Sequence, residues 1–265
     1  MVDIHSHIVW GLDDGASSID DSLAMLSMAW QDGITDIVAT PHANAQYQFH
    51  SALLRQRAEE LAGREGTPVI HLGCEFHLDC DNISSLLDNP SSYTINAGPY
   101  LLLEFPHRHI GRHTESILRQ LLDAAIVPIV AHPERNPVLQ KDLDRLESWI
   151  ELGCLAQVTA RSITGGFGSS SNSAAFRLLG RGLVHVVATD AHDRQHRPPI
   201  LSVAYQAVRA RFGEDVAELL FTDNPRGIMQ GRPLPGGKLM LPGPPKRRWW
   251  QLGLGSTVDV TDGYR

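Results

Sequence analysis

Short runs of Val, Ile and Leu recur along this chain, separated by stretches whose apolar residues fall three or four positions apart. Residues 2–5, 36–40, 69–73, 100–105, 127–131, 155–159 and 183–189 read as buried strands. Between the first two, Leu23, Leu26 and Trp30 mark one face of a helix from about residue 20 to 31. Ser18 precedes it as N-cap, Asp21 follows three residues on, and Gly33 stops it. The same periodicity predicts helices over 51–62, 112–125, 142–152, 173–180 and 201–212. Strands that alternate with helices in this way are the signature of βαβ units around a parallel sheet.

Seven such strands fit either an open doubly wound sheet or a closed barrel, and the polar residues choose between them. An open sheet gathers its site at one switch point, whereas a barrel places functional residues at the C-terminal ends of many strands. Here most strands end in candidate ligands, which predicts an α/β fold in the form of a distorted (β/α)7 barrel with its site on that rim. The patterning stops near Gly231, where Gly and Pro interrupt any helix or strand. Residues 1–231 are therefore expected to form one domain and 232–265 a mobile tail. Within that tail, Lys246, Arg247 and Arg248 adjoin Trp249 and Trp250. This composition suits a lipid headgroup layer or a partner surface, and equally a return onto the domain or another subunit.

Composition narrows the partners more than the fold. The 265 residues, 42% of them hydrophobic, suffice for a packed core. A net charge of −7, with 13 histidines counted neutral, offers no broad basic face to nucleic-acid phosphates. The first residues lack the basic and apolar segments of a secretory signal, and no apolar run reaches the roughly 20 residues of a membrane span. Cys74, Cys80 and Cys154 have no zinc-site spacing and suit reduced thiols. A cytoplasmic protein is expected, as a monomer or an oligomer.

The candidate chemistry lies where the apolar runs stop. His5 and His7 share one face of an extended segment because side chains alternate along a strand, so both imidazoles can grip one cation. Such a pair is a weak sign alone, but the turn Asp13-Asp14-Gly15 adds hard oxygen donors nearby. Pro41 stops the second run just before His42. Glu75 and Glu104 end two others, and a carboxylate there is costly to desolvate unless a cation or hydrogen bonds compensate it. Glu75, with two oxygens, suits a bridging position. His132 closes the run at 127–131, with Arg135 three residues on. Asp190 and His192 close the run at 183–189, and Arg194 and Arg197 follow. A structural histidine or a solvated charge is the plainer reading of any one of these residues. Their shared placement favours a multinuclear metal site.

These ligands offer only nitrogen and oxygen, which suits Mn²⁺, Fe²⁺ or Zn²⁺. Two or three such ions would activate water at neutral pH and clamp a phosphoryl group. The planar forks of Arg135 and Arg197 suit the phosphate itself. Phosphoester hydrolysis is therefore expected over amide or C–N hydrolysis. No cysteine is followed six positions later by arginine, so the loop of cysteine-nucleophile phosphatases is absent.

At these residues the chain resembles the polymerase-and-histidinol-phosphatase (PHP) superfamily. Within it, the chain is similar to the bacterial metal-dependent protein-tyrosine phosphatases of capsular and extracellular polysaccharide synthesis. The motifs are Asp3-Ile-His-Ser-His7, Asp13-Asp-Gly15, Ile37-Val-Ala-Thr-Pro-His42, Leu103-Glu-Phe105, Val130-Ala-His-Pro-Glu-Arg135, Asp190-Ala-His192 and Arg197-Pro-Pro199, in a match from Met1 to about Met229. The resemblance implies a PHP-type barrel with a trinuclear site. His5, His7, Glu75 and Asp190 would hold one ion; Glu75, Glu104 and His132 a second; Asp14, His42 and His192 a third. It further implies manganese, phosphate binding by Arg135 and Arg197, and the tyrosine-rich tail of a membrane-associated bacterial kinase as substrate. Ala43 departs from the polar residue frequent in relatives, which leaves the substrate rim open to difference. The Gly- and Ser-rich stretch 163–173 is expected to form a flexible loop near the site. Two other readings share these residues: a small-molecule phosphomonoesterase of the histidinol-phosphatase kind, which needs a deep covered pocket, and a module that binds phosphotyrosine without turnover.

Overall fold

The computed structural model describes residues 1–78, 83–107 and 109–240; the tryptophan-bearing segment at 246–250 and Cys80 lie outside them. Nine strands are described: β1 (Val2–Ser6), β2 (Asp36–Ala39), β3 (His42–Ala43), β4 (Val69–Leu72), β5 (Glu75–His77), β6 (Tyr100–Glu104), β7 (Val127–Ala131), β8 (Leu155–Thr159) and β9 (Val186–Ala188). All the pairings between them are parallel. They fall into an α/β arrangement of two sheets, ordered β1-β2-β4 and β3-β5-β6-β7-β8-β9.

Two of the predicted strands, seen as β2 and β4, are followed after breaks at Thr40-Pro41 and Gly73-Cys74 by the short strands β3 and β5, which lie beyond the predicted bounds. Pro41 has no N–H to offer the ladder, so regular pairing lapses beside it. Single hydrogen bonds bridge the gap: Gly73 N donates to Ala39 O at 3.0 Å and Glu75 N to Pro41 O at 3.1 Å. At the other edge, Ser6 bridges to Ala191. His7 N donates to Ala191 O and Asp190 N to His5 O, both at 2.8 Å.

Alternation along the strands separates two apolar layers. Leu101, Leu103, Val130, Ala156, Val158 and Val187 pack with the helices, where Leu118, Leu121, Trp149, Ile150, Leu178 and Leu179 are buried. Their neighbours Tyr100, Leu102, Ile129, Leu155, Val186 and Ala188 join Val2 and Ile4 in a second, smaller cluster. The helices of the first layer include α1 (Ile19–Gln31), α2 (Ser51–Leu61), α3 (Ile83–Asp88), α4 (Thr114–Asp123), α5 (Pro137–Lys141), α6 (Leu143–Leu152), α7 (Ala160–Ile163), α8 (Gly168–Gly180) and α9 (Ser202–Phe212). Ser18 caps α1 as its spacing predicts, its side chain accepting from Asp21 N at 3.2 Å. None of the described helices is long and apolar enough to cross a membrane.

Three expectations change. Residues 183–185 precede β9 rather than belong to it, because His185 Nδ1 takes the Ala156 N–H at 3.1 Å. Most of the stretch 163–173 is helical, leaving only residues 164–167 between α7 and α8. Burial of Ala174, Ala175, Leu178 and Leu179 outweighs the weak helix propensity of its Gly and Ser. Asn172 Nδ2 also ties it down, donating to Ser162 O at 3.0 Å and Ile163 O at 2.7 Å. Residues 232–239, expected within a mobile tail, lie against the domain. Tyr100 Oη donates to Arg232 O at 2.7 Å and accepts from Leu234 N at 3.0 Å. His185 Nε2 meets Gly237 O at 3.0 Å, and Leu239 N donates to Gly182 O at 2.8 Å. Pro and Gly exclude helix and sheet there, but not a chain pinned by side chains.

Tyr100→Phe removes both bonds of that hydroxyl. It is expected to cost about 1–2 kcal/mol of unfolding free energy and to hasten tryptic cleavage at Lys238. An unchanged cleavage rate would count against docking of this segment.

Candidate metal centre

The end of β1 carries His5 and the residue after it leads to His7, with their Nε2 atoms 3.4 Å apart. The turn at Asp13-Asp14-Gly15 folds back onto them. A Cβ on Gly15 would fall 2.2 Å from His7 O, so only glycine permits that approach. Asp13 Oδ2 thereby reaches His7 Nδ1 at 2.6 Å and accepts the His42 N–H at 2.9 Å. His132 and Asp190 follow β7 and β9 in the left-handed region, at φ +30° and +53°. Non-glycine residues seldom adopt it, and here it accompanies the turn of each side chain over its strand end.

All nine predicted ligands meet in this cluster. His5, His7, Glu75 and Asp190 offer ligand atoms that lie within 4.8 Å of one another, as do His7, Asp14, His42 and His192, and also His42, Glu75 and Glu104. Glu75 belongs to two of these groups, at their centre. His132 Nε2 lies 2.7 Å from Glu75 Oε1 and 3.7 Å from Glu104 Oε1. His7 and His42 each take part in two groups, a sharing that sequence spacing does not reveal.

Outer partners aim the rings. His5 Nδ1 meets Gln157 Oε1 at 3.0 Å, His7 Nδ1 meets Asp13, and His192 Nδ1 meets Asp190 O at 3.1 Å. Each leaves Nε2 for the cluster, the arrangement by which carboxylates and carbonyls orient ligating histidines. Asp3 lies fully buried below, accepting from Thr189 N at 3.0 Å and His5 N at 3.3 Å, and burial pushes its carboxyl up to about 6. His77 Nδ1 holds Glu104 Oε2 at 3.1 Å. Sequence reasoning gave no role to Asp3, Gln157 or His77. Asp3 was nevertheless visible in principle, since it alternates onto the same face as His5 and His7.

The electrostatics fit a cation site. Burial opposes charge on His7, yet the Asp13 carboxylate lifts its pKa well above the usual imidazole value. His42 rises to about 9 despite burial, through Asp14 and Glu75. Burial alone would raise Glu75 and Asp190, but the positive charge of His5 and hydrogen bonds from other histidines hold both well below the usual range. Protonated imidazoles thus stand where divalent cations would. Glu75 Oε2 and His42 Nδ1, 3.0 Å apart, are both buried without hydrogen-bond geometry, as donors aimed at a third body would be. His192 moves the other way, to about 4, through burial and then the charge of His7, and so is neutral for ligation.

Beside this cluster Asp190 Oδ2 accepts from Arg135 Nη1 and forms an ion pair with Arg197 Nη2 at 2.5 Å, while Oδ1 lies 3.3 Å from His5 Nε2. Arg197 Nε is buried with no partner. Arg194 instead pairs with Asp21 at 3.4 Å on the surface.

Strand ends that gather nitrogen and oxygen donors beside an arginine pair define a class first: parallel α/β proteins with a candidate cation cleft at the strand ends. Within it the capsular polysaccharide synthesis family CpsB/CapC matches residues 1–230, and the chain belongs to that family. It is 32% identical over 237 residues to the tyrosine-protein phosphatase YwqE of Bacillus subtilis, spanning 88% of this chain and 92% of that one. It is likewise 32% identical over 242 residues to the tyrosine-protein phosphatase CpsB of Streptococcus pneumoniae, spanning 86% and 98%. A crystal structure from work on these two metal-dependent tyrosine phosphatases matches with a TM-score of 0.83 at 30% identity, over 90% of this chain and 99% of that one. A lactonase from Listeria monocytogenes shares the fold alone, at 13% identity and a TM-score of 0.55 over 88% of this chain and 95% of that one.

With a pKa of about 9, His42 carries a proton at pH 7 and must lose it to ligate. Cation binding to the metal-free protein is therefore expected to release protons at pH 7 and to tighten as pH rises toward 9. Calorimetry in two buffers of different ionisation enthalpy reads this directly. Identical heats in both would contradict it.

Proposed function

We propose that this chain is a metal-dependent protein-tyrosine phosphatase acting on a bacterial, membrane-associated tyrosine kinase in the cytoplasm. The observation that carries this reading is the meeting of Arg135 and Arg197 on Asp190, a residue whose other oxygen faces the donor cluster. The names of the relatives and the family's link to capsular polysaccharide synthesis support the substrate. We read the two sheets as one distorted seven-stranded (β/α) barrel, β2 with β3 and β4 with β5 counting as single staves. The Ser6–Ala191 bridge supports closure between first and last stave.

In this reading His5, His7, Asp14, His42, Glu75, Glu104, His132, Asp190 and His192 hold two or three ions; the all-nitrogen-and-oxygen donor set suits Mn²⁺, Fe²⁺ or Zn²⁺, and the family resemblance selects Mn²⁺ among them. Bound there, the ions supply Lewis acidity toward phosphoryl oxygens and lower the pKa of water. The chain's own groups do the positioning. Arg135 and Arg197 grip the phosphate through the N–H groups that Asp190 leaves free. Asp190 fixes where that grip lies relative to His5 and His7. A phenolate, with a parent pKa near 10, departs without a strong general acid. The side chain of Asp14 is 47% exposed and that of Glu104 23%, so the rim is open to a side chain carried on a protein. An enclosed small-molecule site would bury both.

Chelation is expected to abolish turnover of a phosphotyrosine peptide, added Mn²⁺ to restore it, and a phosphoserine peptide to react far more slowly. Equal rates on the two peptides sink the tyrosine assignment, and full activity after complete metal removal sinks the metal route. Glu75→Gln is expected to lower kcat/KM roughly 100-fold or more and to reduce the bound metal measured by emission spectrometry.

A further inference from the structure

Beside the donor cluster lies a cavity of about 230 Å³, lined by Glu104, His132 and Arg135 on the side of the cluster and by Phe105 and Phe167 among its other walls. Pockets for drug-sized ligands run to roughly 300–1,000 Å³, so a cavity of this size suits one side chain. Phe105 is buried against Trp149, with ring centroids 5.0 Å apart, and offers a rigid floor. Phe167 is half-buried and sits in the short connection between α7 and α8.

That connection is built to hold an aromatic ring over the arginines. Gly165 and Gly168 adopt φ of +85° and +84°, and Gly168 N returns to Gly165 O at 3.0 Å. A Cβ on Gly166 would fall 2.5 Å from Arg161 Cγ, so the loop lies close on that side chain. Ser170 Oγ donates to Gln140 Oε1 at 2.9 Å, and Gln140 Nε2 donates to Glu134 O at 2.6 Å, tying the first turn of α8, just after the loop, to the segment that carries Arg135. The Arg135 guanidinium lies 4.4 Å from the centroid of Phe167, that of Arg197 5.8 Å and that of Arg161 5.9 Å. Within about 6 Å a cation is drawn to the ring.

We propose that Phe167 is a specificity-determining residue: with Phe105 it forms the receptacle for the aromatic ring of the substrate residue, whose phosphate lies at Arg135 and Arg197. This rests on the phosphotyrosine reading above and deepens it. An aryl side chain reaching the arginines through this cavity meets the two phenyl groups of its lining, whereas the chain of phosphoserine is too short to use them. Offset or edge-on contacts between aromatic rings add to the burial of apolar area, and the serine substrate forgoes both.

The test uses the full chain loaded with Mn²⁺, as wild type, Phe167→Leu and Phe167→Tyr. For Phe167→Leu, KM for a phosphotyrosine peptide is expected to rise about tenfold with kcat little changed. The inhibition constant of inorganic phosphate, which has no ring, is expected to stay within about twofold. Phe167→Tyr is expected to keep the wild-type KM. An unchanged KM in Phe167→Leu overturns the proposal, and so does a parallel rise in the phosphate constant, which would make the ring a support for the arginines alone. Wild-type protein that leaves phosphotyrosine intact overturns the proposed function and this inference together.

Discussion

Five carboxylates, from Asp13, Asp14, Glu75, Glu104 and Asp190, are drawn to one end of the parallel strands, and Glu75 and Asp190 are almost wholly enclosed. Ionised carboxylates out of water are tolerated only with matching positive charge. Histidines and two arginines provide it here, and their placement dictates much of the rest. Glu75 touches or faces His5, His7, His42 and His132, while Asp190 is shared between His5, His7, Arg135 and Arg197. Removing the compensation from either carboxylate would leave a buried charge with little to hold it.

That requirement explains the backbone around the cluster. His132 and Asp190 take left-handed conformations that regular strand ends avoid, and Gly15 occupies a position where any Cβ would collide with His7. The strain is local and is held by the parallel strands beneath, with their alternating inner and outer apolar layers. Gln157, Asp13 and the Asp190 carbonyl set which imidazole nitrogen of His5, His7 and His192 faces the cluster, while Asp3 holds the backbone N–H groups of His5 and Thr189. The same geometry joins the donor cluster to the arginine pair, because Asp190 has one oxygen on each side.

Much of this was legible from residue order. A histidine or carboxylate at the end of an apolar run identifies itself, since a polar group there needs a reason to be near the core. Period-two alternation placed His5 and His7 on one face, and the helix cap at Ser18 followed from spacing alone. Other features were not legible. The helix that starts at Gly168 and the docking of residues 232–239 run against local composition: burial outweighs propensity costs of up to about 1 kcal/mol per residue for Gly and Ser in the first, and side-chain hydrogen bonds hold the second without regular structure. The breaks at Thr40-Pro41 and Gly73-Cys74 likewise depend on which strand lies alongside.

The sequence by itself determined the donor inventory, the parallel α/β class and the family, because all three are written in residue type and short-range period. Only the tertiary structure decided which donors share a group, that His42 sits between two of them, and that Phe167 lies over Arg135. His42 and Glu75 are 33 positions apart, and Asp190 and His5 are 185 apart. Ion pairs weaken with separation and cation–ring contacts act only within about 6 Å, so both depend on distances that chain order does not encode until the strands have paired.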